Sequence, residues 1–277
     1  MVKNSSPPDR YALVGHPVEH SRSPLIHQLF ARQTAQNMTY ELIDAEPKSF
    51  ETAVRGFAAA GGKGLNVTVP HKEAAFALVD EISEPANAAR AVNTIKFVDG
   101  RLRGENTDGL GLIRDLVVNQ RVTLPGRRVL VLGAGGAARG IVGPLLAAGP
   151  AELVIANRTK ARADEIVEQF GAGAALRAAA FDELGSLAAF DLLINATSAG
   201  LKGEAPPFPG SLVGPETVGY DLVYSVKDTP FVAWARSHGA ARALQGWGML
   251  IEQAAESFFI WRNVRPDTKP ILKQLVR

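Results

Sequence analysis

VLVLGAGGAARG, residues Val129–Gly140, decides how the rest of the chain is read. Four apolar residues, Val129 to Leu132, run into Gly133, Ala134, Gly135, Gly136 and then Ala137 and Ala138. A short buried strand that stops at a glycine turn, with small residues opening a helix, is the start of a dinucleotide-binding βαβ unit. The glycines give a tight turn and let the backbone come close to a pyrophosphate. The helix N-terminus behind them presents free N–H groups and a partial positive charge. Gly133, Gly135 and Ala138 meet the G-x-G-x-x-A spacing. Glycine–alanine runs also make ordinary tight turns, so the flanks have to carry the decision.

Downstream, Leu153–Ala156 reads as the next strand and ends at Asn157-Arg158-Thr159. An enzyme favouring NAD places Asp or Glu at the end of this strand to hold the ribose 2′-hydroxyl. Here Asn157 and Arg158 stand there, with Lys160 and Arg162 in reach, while Glu152 lies at the wrong end. A guanidinium binds a 2′-phosphate in a charge-assisted fork, so the pattern favours NADP. The plainer alternative is that these basic residues only begin a solvated helix. Further strands are expected at Asp191–Asn195, Val218–Tyr224 and Arg242–Leu244. The loop Ala196–Gly200, with Thr197, ends a strand on the same edge as the glycine loop, beside the nicotinamide half of a cofactor. Pro206-Pro207 and Pro209-Gly210 mark a surface loop. Pro144 falls inside the expected crossover helix, where proline removes a donor and suggests a kink. The last long element, Met249–Arg262, is a helix with Leu250, Ala254, Phe258 and Trp261 on one stripe. Glu252 and Glu256 are expected to face away from it. Gln253 lies at the stripe's edge, either reaching into a cleft or solvated.

Upstream, strands and helices alternate. Strands are expected at Tyr11–Gly15, Thr39–Ile43 and Gly64–Val69, with helices after Pro24, over Phe50–Ala60 and from Pro70 through Val79. Alternation predicts a largely parallel sheet with helices on its faces. Thr94–Val98 and Leu102–Gly104 flank Asp99-Gly100, a hairpin-turn pair. Three polar sets stand out. Ser21 and Ser23 straddle Arg22 just before a helix, where they either cap it or offer two hydroxyls to a carboxylate. In NVTVPHK, Asn66–Lys72, a lysine in the first helical turn opposes the dipole, and Thr68 sits where ligands bind in open α/β sheets. In AVNT and GENTDG, Asn93 and Asp108 admit turn-satisfying and helix-capping readings beside functional ones. His16 and His20 are separated by Pro17 and do not share a helix face, which argues against a metal site.

Composition bounds the function. The chain has 277 residues, enough for two domains, with 46% hydrophobic and 21% charged residues, as in ordinary globular proteins. A formal net charge of +2 is too small for a nucleic-acid surface. With no cysteine there is no disulfide, thiolate nucleophile or cysteine metal site. Neither a signal-peptide core nor a run of membrane-spanning length is present in the sequence, so a cytoplasmic protein is expected.

Taken in order, HSRSP, NVTVPHK, AVNT, GENTDG, LGAGGAA, NRT, NATSAG, GYDLVY and GWGMLIEQAAESFF resemble the shikimate dehydrogenase family over residues 11 to 268. The resemblance implies reduction of 3-dehydroshikimate to shikimate with NADPH, a step of aromatic amino-acid biosynthesis. It implies an α/β chain whose N-terminal substrate domain (1–109, completed by helices over 249–277) is joined to a Rossmann NADP-binding domain (110–248), with the active site in the cleft between. It also implies that Ser21 and Ser23 hold the substrate carboxylate with help from Tyr224, and that Thr68, Lys72, Asn93, Asp108 and Gln253 bind the ring hydroxyls. Lys72 and Asp108 are the implied proton-transfer pair. Gly133–Ala137, Asn157, Arg158, Thr159 and Arg162 would bind NADP, with Thr197, Gly246 and Met249 near the nicotinamide. Partners are then a small-molecule substrate and neither nucleic acid nor membrane, in a monomer or homodimer. Two departures stand out: Ser225-Val226 where the family usually has Asn-Pro, and His71 where Phe is common. A quinate/shikimate dehydrogenase with relaxed substrate or cofactor use is the nearest alternative.

Overall fold

The computed structural model describes residues 6–171, 173, 175–197 and 208–275. Ser198–Gly200 of the ATSAG loop and Pro206-Pro207 lie outside the described residues. The chain divides into two compact units, Met1–Gly111 with Ile251–Arg277, and Leu112–Leu250.

The first unit is built on a six-stranded sheet of order β2-β1-β3-β5-β6-β4. Its strands are β1 (Asp9–Gly15), β2 (Met38–Asp44), β3 (Gly64–Val67), β4 (Glu81–Ile82), β5 (Thr94–Val98) and β6 (Arg101–Glu105). β1 pairs parallel with β2 and β3, and β4 with β6, while β5 runs antiparallel to β3 and β6. The β5–β6 hairpin turns at Asp99 and Gly100, whose φ values of 50° and 77° are those of a type I′ turn. Helices α1 (Ser23–Gln33), α2 (Phe50–Ala59), α3 (Lys72–Leu78) and α4 (Glu84–Ala89) complete the N-terminal part. β3 ends two residues earlier than its apolar run suggests. Pro70 and His71 form a turn before α3 rather than its first residues.

Alternation along β1 sends Ala12 and Val14 to one face and Tyr11 and Leu13 to the other. Ala12 and Val14 pack with Val54 and Phe57 of α2, Ala75 of α3 and Ala86 of α4. On the opposite face, Tyr11 stacks on Trp261 of α9 (Trp247–Arg262) with centroids 4.7 Å apart. His27 lies flat on Tyr40 at 4.2 Å and meets Phe30 edge-on, and Phe30 meets Phe258. Burial among these rings pushes the His27 imidazole down to about 3. Arg262 reaches Asp9, and Trp261 Nε1 donates to the Ile95 carbonyl at 3.0 Å, so the end of α9 is bound to β1 and β5.

Glu252 corrects an expectation. It is buried, not solvent-facing, because the chain after α9 returns over it and the Thr268 hydroxyl donates to its Oε1 at 2.8 Å. Glu256 is half-buried and pairs with Arg265. The periodicity of α9 shows one stripe only, because a polar pair covers the other face.

The second unit is a six-stranded parallel sheet of order β12-β11-β10-β7-β8-β9. Its strands are β7 (Arg128–Leu132), β8 (Glu152–Asn157), β9 (Leu176–Ala180), β10 (Phe190–Asn195), β11 (Val213–Asp221) and β12 (Arg242–Gln245). Counted from β7, this is the doubly wound 3-2-1-4-5-6 order, with a switch point between β7 and β10. Both faces are covered, as a parallel sheet requires: Val129 and Val131 pack to one side, Leu130 and Leu132 to the other. Helices α6 (Gly136–Ala147), α7 (Lys160–Phe170) and α8 (Pro230–Ser237) cover those faces. α6 runs through Pro144, which removes one backbone donor from the helix. β11 stops at Asp221 instead of Tyr224, so Tyr224 lies in the loop beyond it. Between the two halves of the sequence, α5 (Asp108–Arg114) passes into a π-helical stretch over Asp115–Asn119. α10 (Lys269–Leu275) closes the described chain.

Candidate active site

In the first unit, residues far apart in sequence meet at the ends of β3, β5 and β6. Lys72 opens α3 and Asp108 opens α5, and Lys72 Nζ donates to Asp108 Oδ2 at 2.5 Å. The lysine side chain is 12% exposed and the aspartate 5%, so the pair opens outward through the lysine. Asn93 Nδ2 donates to Asp108 Oδ1 at 2.9 Å and lies 3.3 Å from Gln253 Oε1. Lys72, Asn93, Asp108 and Gln253 therefore form one hydrogen-bonded cluster.

Helix capping does not explain Asp108. Its carboxylate is taken by Lys72 and Asn93, and its own N–H is accepted by Asn106 Oδ1 at 3.1 Å. Gln253 reaches the cluster because Gly111 lets the α9 backbone in: a Cβ there would stand 2.8 Å from Gln253 N.

Ser21 and Ser23 make a separate pair. Ser21 Oγ accepts the Ser23 N–H and donates to Ser23 Oγ, both at 3.2 Å. The N-cap residue Arg22 makes no side-chain cap hydrogen bond, so first-turn N–H groups and the serine hydroxyls keep capacity for a ligand. Thr68, half-buried after β3, stands outside the cluster; a Cβ on Gly15 would fall 2.3 Å from its methyl. His71 is turned away from Lys72: its Nε2 donates to the Ala45 carbonyl at 2.7 Å and its ring stacks on Phe50.

In the second unit, Gly133 takes φ 109°, which L side chains rarely adopt, and a Cβ there would lie 3.0 Å from the Ala196 carbonyl. Thr197 is thus held beside the glycine turn. Among the described residues, Gly135 precedes α6 with open space where its Cβ would be, and no side chain caps the helix. The N–H groups of Gly136 and Ala137 are left for a ligand. At the end of β8, Asn157 Nδ2 donates to the Thr159 carbonyl at 2.9 Å, folding the loop that presents Arg158. Among the described residues the exposed Arg158 guanidinium makes no hydrogen bond or ion pair. Lys160 is instead tied to Asp164 at 2.6 Å, and Arg162 lies exposed on the first turn of α7. An uncapped helix behind an open glycine, with a free guanidinium one strand away, fits a dinucleotide bearing a 2′-phosphate.

Tyr224 packs on Trp247 with centroids 4.6 Å apart. The Ser225-Val226 departure leaves its loop anchored, since Ser225 N donates to Gln245 Oε1 at 2.6 Å and Trp247 Nε1 to the Ser225 carbonyl at 3.3 Å. Gly246 is excluded from bearing a side chain by the Leu222 carbonyl, 2.5 Å from its would-be Cβ. Met249 is buried in the core of this unit, its N–H donating to Tyr220 Oη at 3.3 Å.

Three family models match the chain in sequence order: the shikimate dehydrogenase substrate binding domain over residues 13–95, shikimate / quinate 5-dehydrogenase over 116–202, and the shikimate 5′-dehydrogenase C-terminal domain over 246–276. The chain belongs to the shikimate dehydrogenase family. The shikimate dehydrogenase (NADP(+)) of Alkalilimnicola ehrlichii is 56% identical over 96% of this chain and 98% of that protein. An Ael1 enzyme from Pseudomonas putida has a similar crystal structure, with 47% identity, a TM-score of 0.88, and coverage of 96% of this chain and 98% of that one. Shikimate 5-dehydrogenase from Thermus thermophilus, in complex with NADP(H) and shikimate, is 36% identical with a TM-score of 0.84 over 96% of this chain and 97% of that one.

Sequence reasoning about this shikimate dehydrogenase family member passed over the residues that hold the cluster. Thr107 and Asn106 lie inside GENTDG and Asn66 inside NVTVPHK, yet only their neighbours drew attention. Ser257 follows Gln253 by four residues, a spacing that places both on one helix face. That periodicity was the available signal. Among the described residues no group of three or more His, Asp or Glu side chains is placed to hold a metal, and no helix is long and apolar enough to cross a membrane.

Proposed function

We propose that this chain is a shikimate dehydrogenase that reduces 3-dehydroshikimate to shikimate with NADPH, reversibly, in the cytoplasmic synthesis of aromatic amino acids. The observation that carries the reading is the Lys72–Asp108 contact of 2.5 Å, with Asn93 on the other carboxylate oxygen. In this reading the first unit holds the substrate and the second the cofactor. Ser21 and Ser23 take the substrate carboxylate at the start of α1, with Tyr224 contributing a phenol. Thr68, Asn93, Asp108 and Gln253 take the ring hydroxyls. Gly133–Ala137 hold the pyrophosphate through backbone N–H groups, and Asn157, Arg158, Thr159 and Arg162 take the adenosine end with its 2′-phosphate. Thr197, Gly246 and Met249 line the nicotinamide end.

Bound NADPH supplies the hydride. As the ketone oxygen gains negative charge, Lys72 Nζ stabilises it and passes it a proton, which solvent then returns to the lysine. Asp108 keeps the lysine nitrogen beside that oxygen, and Asn93 keeps Asp108 in place. Proton transfer by one positioned side chain contributes about 10²–10⁴-fold, so Lys72 is the main contributor to kcat and Asp108 the orienting one.

The test crosses shikimate and quinate with NADP⁺ and NAD⁺ in an oxidation assay. Shikimate with NADP⁺ should give the highest kcat/KM of the four. Absence of shikimate turnover with either cofactor overturns the reading.

A further inference from the structure

Behind Asn93 lies a hydrogen-bonded group of side chains, none of which bonds to the Lys72 ammonium or the Asp108 carboxylate. Ser257, fully buried on α9, places its Oγ 3.0 Å from Asn66 Nδ2, 2.8 Å from Thr94 Oγ1 and 3.3 Å from Thr107 Oγ1. It also lies 3.0 Å from the Gln253 carbonyl, one helical turn back. Thr94 Oγ1 in turn donates to Asn93 Oδ1 at 2.9 Å. The orientation of the Asn93 carboxamide matters, because only one of its two flips presents N–H to Asp108.

A main-chain donor settles the flip. The Thr107 N–H cannot accept, and it points at Asn93 Oδ1 from 2.9 Å. With Oδ1 committed to Thr107 and Thr94, Nδ2 faces Asp108. Three hydroxyls with rotatable protons surround this arrangement, and their directions are shared out at Ser257, where strands β3 and β5 and the loop before α5 meet α9. Such a network is set as a unit, so loss of one member reassigns the others.

The geometry points to Ser257 as a positioning residue that, through the Thr94 and Thr107 hydroxyls, steadies the Asn93 carboxamide, in the flip the Thr107 N–H selects, against Asp108 and so keeps Asp108 against Lys72. This deepens the dehydrogenase reading and rests on it for the kinetic arms of its test. Lys72 is the charged group that contacts Asp108 among the described residues; Asn93, Thr107 and Gln253 around it are neutral.

The test replaces Ser257 by Ala, and in a second variant Thr94 by the isosteric Val. Expected for each is a kcat about tenfold lower, the equivalent of one hydrogen bond, with KM for the dinucleotide unchanged and the pH profile of kcat displaced. In the Asn93→Ala background the Ser257→Ala change should add almost nothing, since its effect runs through Asn93. An arm independent of turnover follows the Asp108 carboxyl carbon by NMR in the ligand-free protein. Its chemical shift at fixed pH should change in Ser257→Ala, because a hydrogen bond to the carboxylate is weakened. If only the melting temperature falls, with kcat, its pH profile and the Asp108 carboxyl chemical shift as in the parent, the inference is overturned. Full additivity with Asn93→Ala overturns it too. A parent chain that does not oxidise shikimate would defeat the functional reading instead, and the NMR arm would still decide the role of Ser257.

Discussion

Asp108 in the first unit and Asp221 in the second are both buried carboxylates at the ends of secondary-structure elements, and they differ in the charge of their partners. Asp221 accepts from Thr229 Oγ1 at 2.6 Å, Asn195 Nδ2 at 2.9 Å and Val223 N at 3.1 Å, all neutral. Burial outweighs those bonds and holds its carboxyl above the usual carboxylate range. Asp108 has a lysine on one oxygen and an amide on the other, and the lysine keeps 12% of its side chain in solvent. A carboxylate surrounded by neutral donors is a tie: it fixes the ends of β10 and β11 and, through Asn195, the Thr197 hydroxyl at 2.7 Å. A carboxylate paired with a partly accessible cation is, on the proposed reading, a tool, because the proton it governs can leave toward a ligand. Burial and hydrogen-bond count do not separate the two cases; the accessible charge does.

Removing that charge is the largest break. Lys72→Ala should lower kcat by about 10²–10⁴-fold with a smaller change in KM for shikimate, measured by steady-state kinetics. A near-normal kcat would place Asp108 in the same class as Asp221. Asp108→Asn keeps an acceptor for one partner and turns an amide toward the other, so its kcat should fall less, by about ten- to a hundredfold.

How much of this contrast was legible beforehand follows from what each residue depends on. The glycine turn at Gly133 and the Asp99-Gly100 hairpin are local: a few residues carry all of the conformational demand, and both stand where the sequence put them. Parallel strands with apolar runs, such as Val129–Leu132, were readable for the same reason. β9 escaped because Leu176–Ala180 is mostly alanine, and its strand character comes from pairing with β8 rather than from its own side chains. Glu252 was misplaced because its partner Thr268 lies sixteen residues on, in a segment with no periodic signal. Lys72 and Asp108, thirty-six residues apart, meet only through the order of β3, β5 and β6. Residue type and the family resemblance singled them out; sheet topology, which composition and spacing do not encode, brings them together.

On the proposed reading the second unit carries its cofactor-binding charge at the exposed Arg158. Arg158→Ala should raise KM for NADPH by about ten- to a hundredfold, the range for one charge-assisted interaction, and leave NADH kinetics little changed. Equal losses with both cofactors would mean that Arg158 supports the β8–α7 loop instead of reading a 2′-phosphate. That outcome would extend to the rim the structural role assigned to Asp221.

The smallest expected effect tests Asp221 itself. Its native carboxyl binds a proton more readily than the same group in the unfolded chain, because burial disfavours the charged form. Stability contributed by this site is therefore greatest at low pH and falls as pH rises from the usual carboxylate value of about 4 through the raised native value. Asp221→Asn keeps an oxygen for Asn195 and Val223, and the Thr229 hydroxyl can rotate to accept from the new amide. Denaturant melts between pH 4 and 7 should then show that the variant has lost part of the parent's decline in stability with rising pH, while kcat stays within about threefold. A variant whose stability follows the parent at every pH would mean that Asp221 gains as much from its three donors as it loses to burial. A fall in kcat as large as that of Asp108→Asn would be the more damaging result, because a carboxylate without a cation would then matter as much to the reaction as one with it.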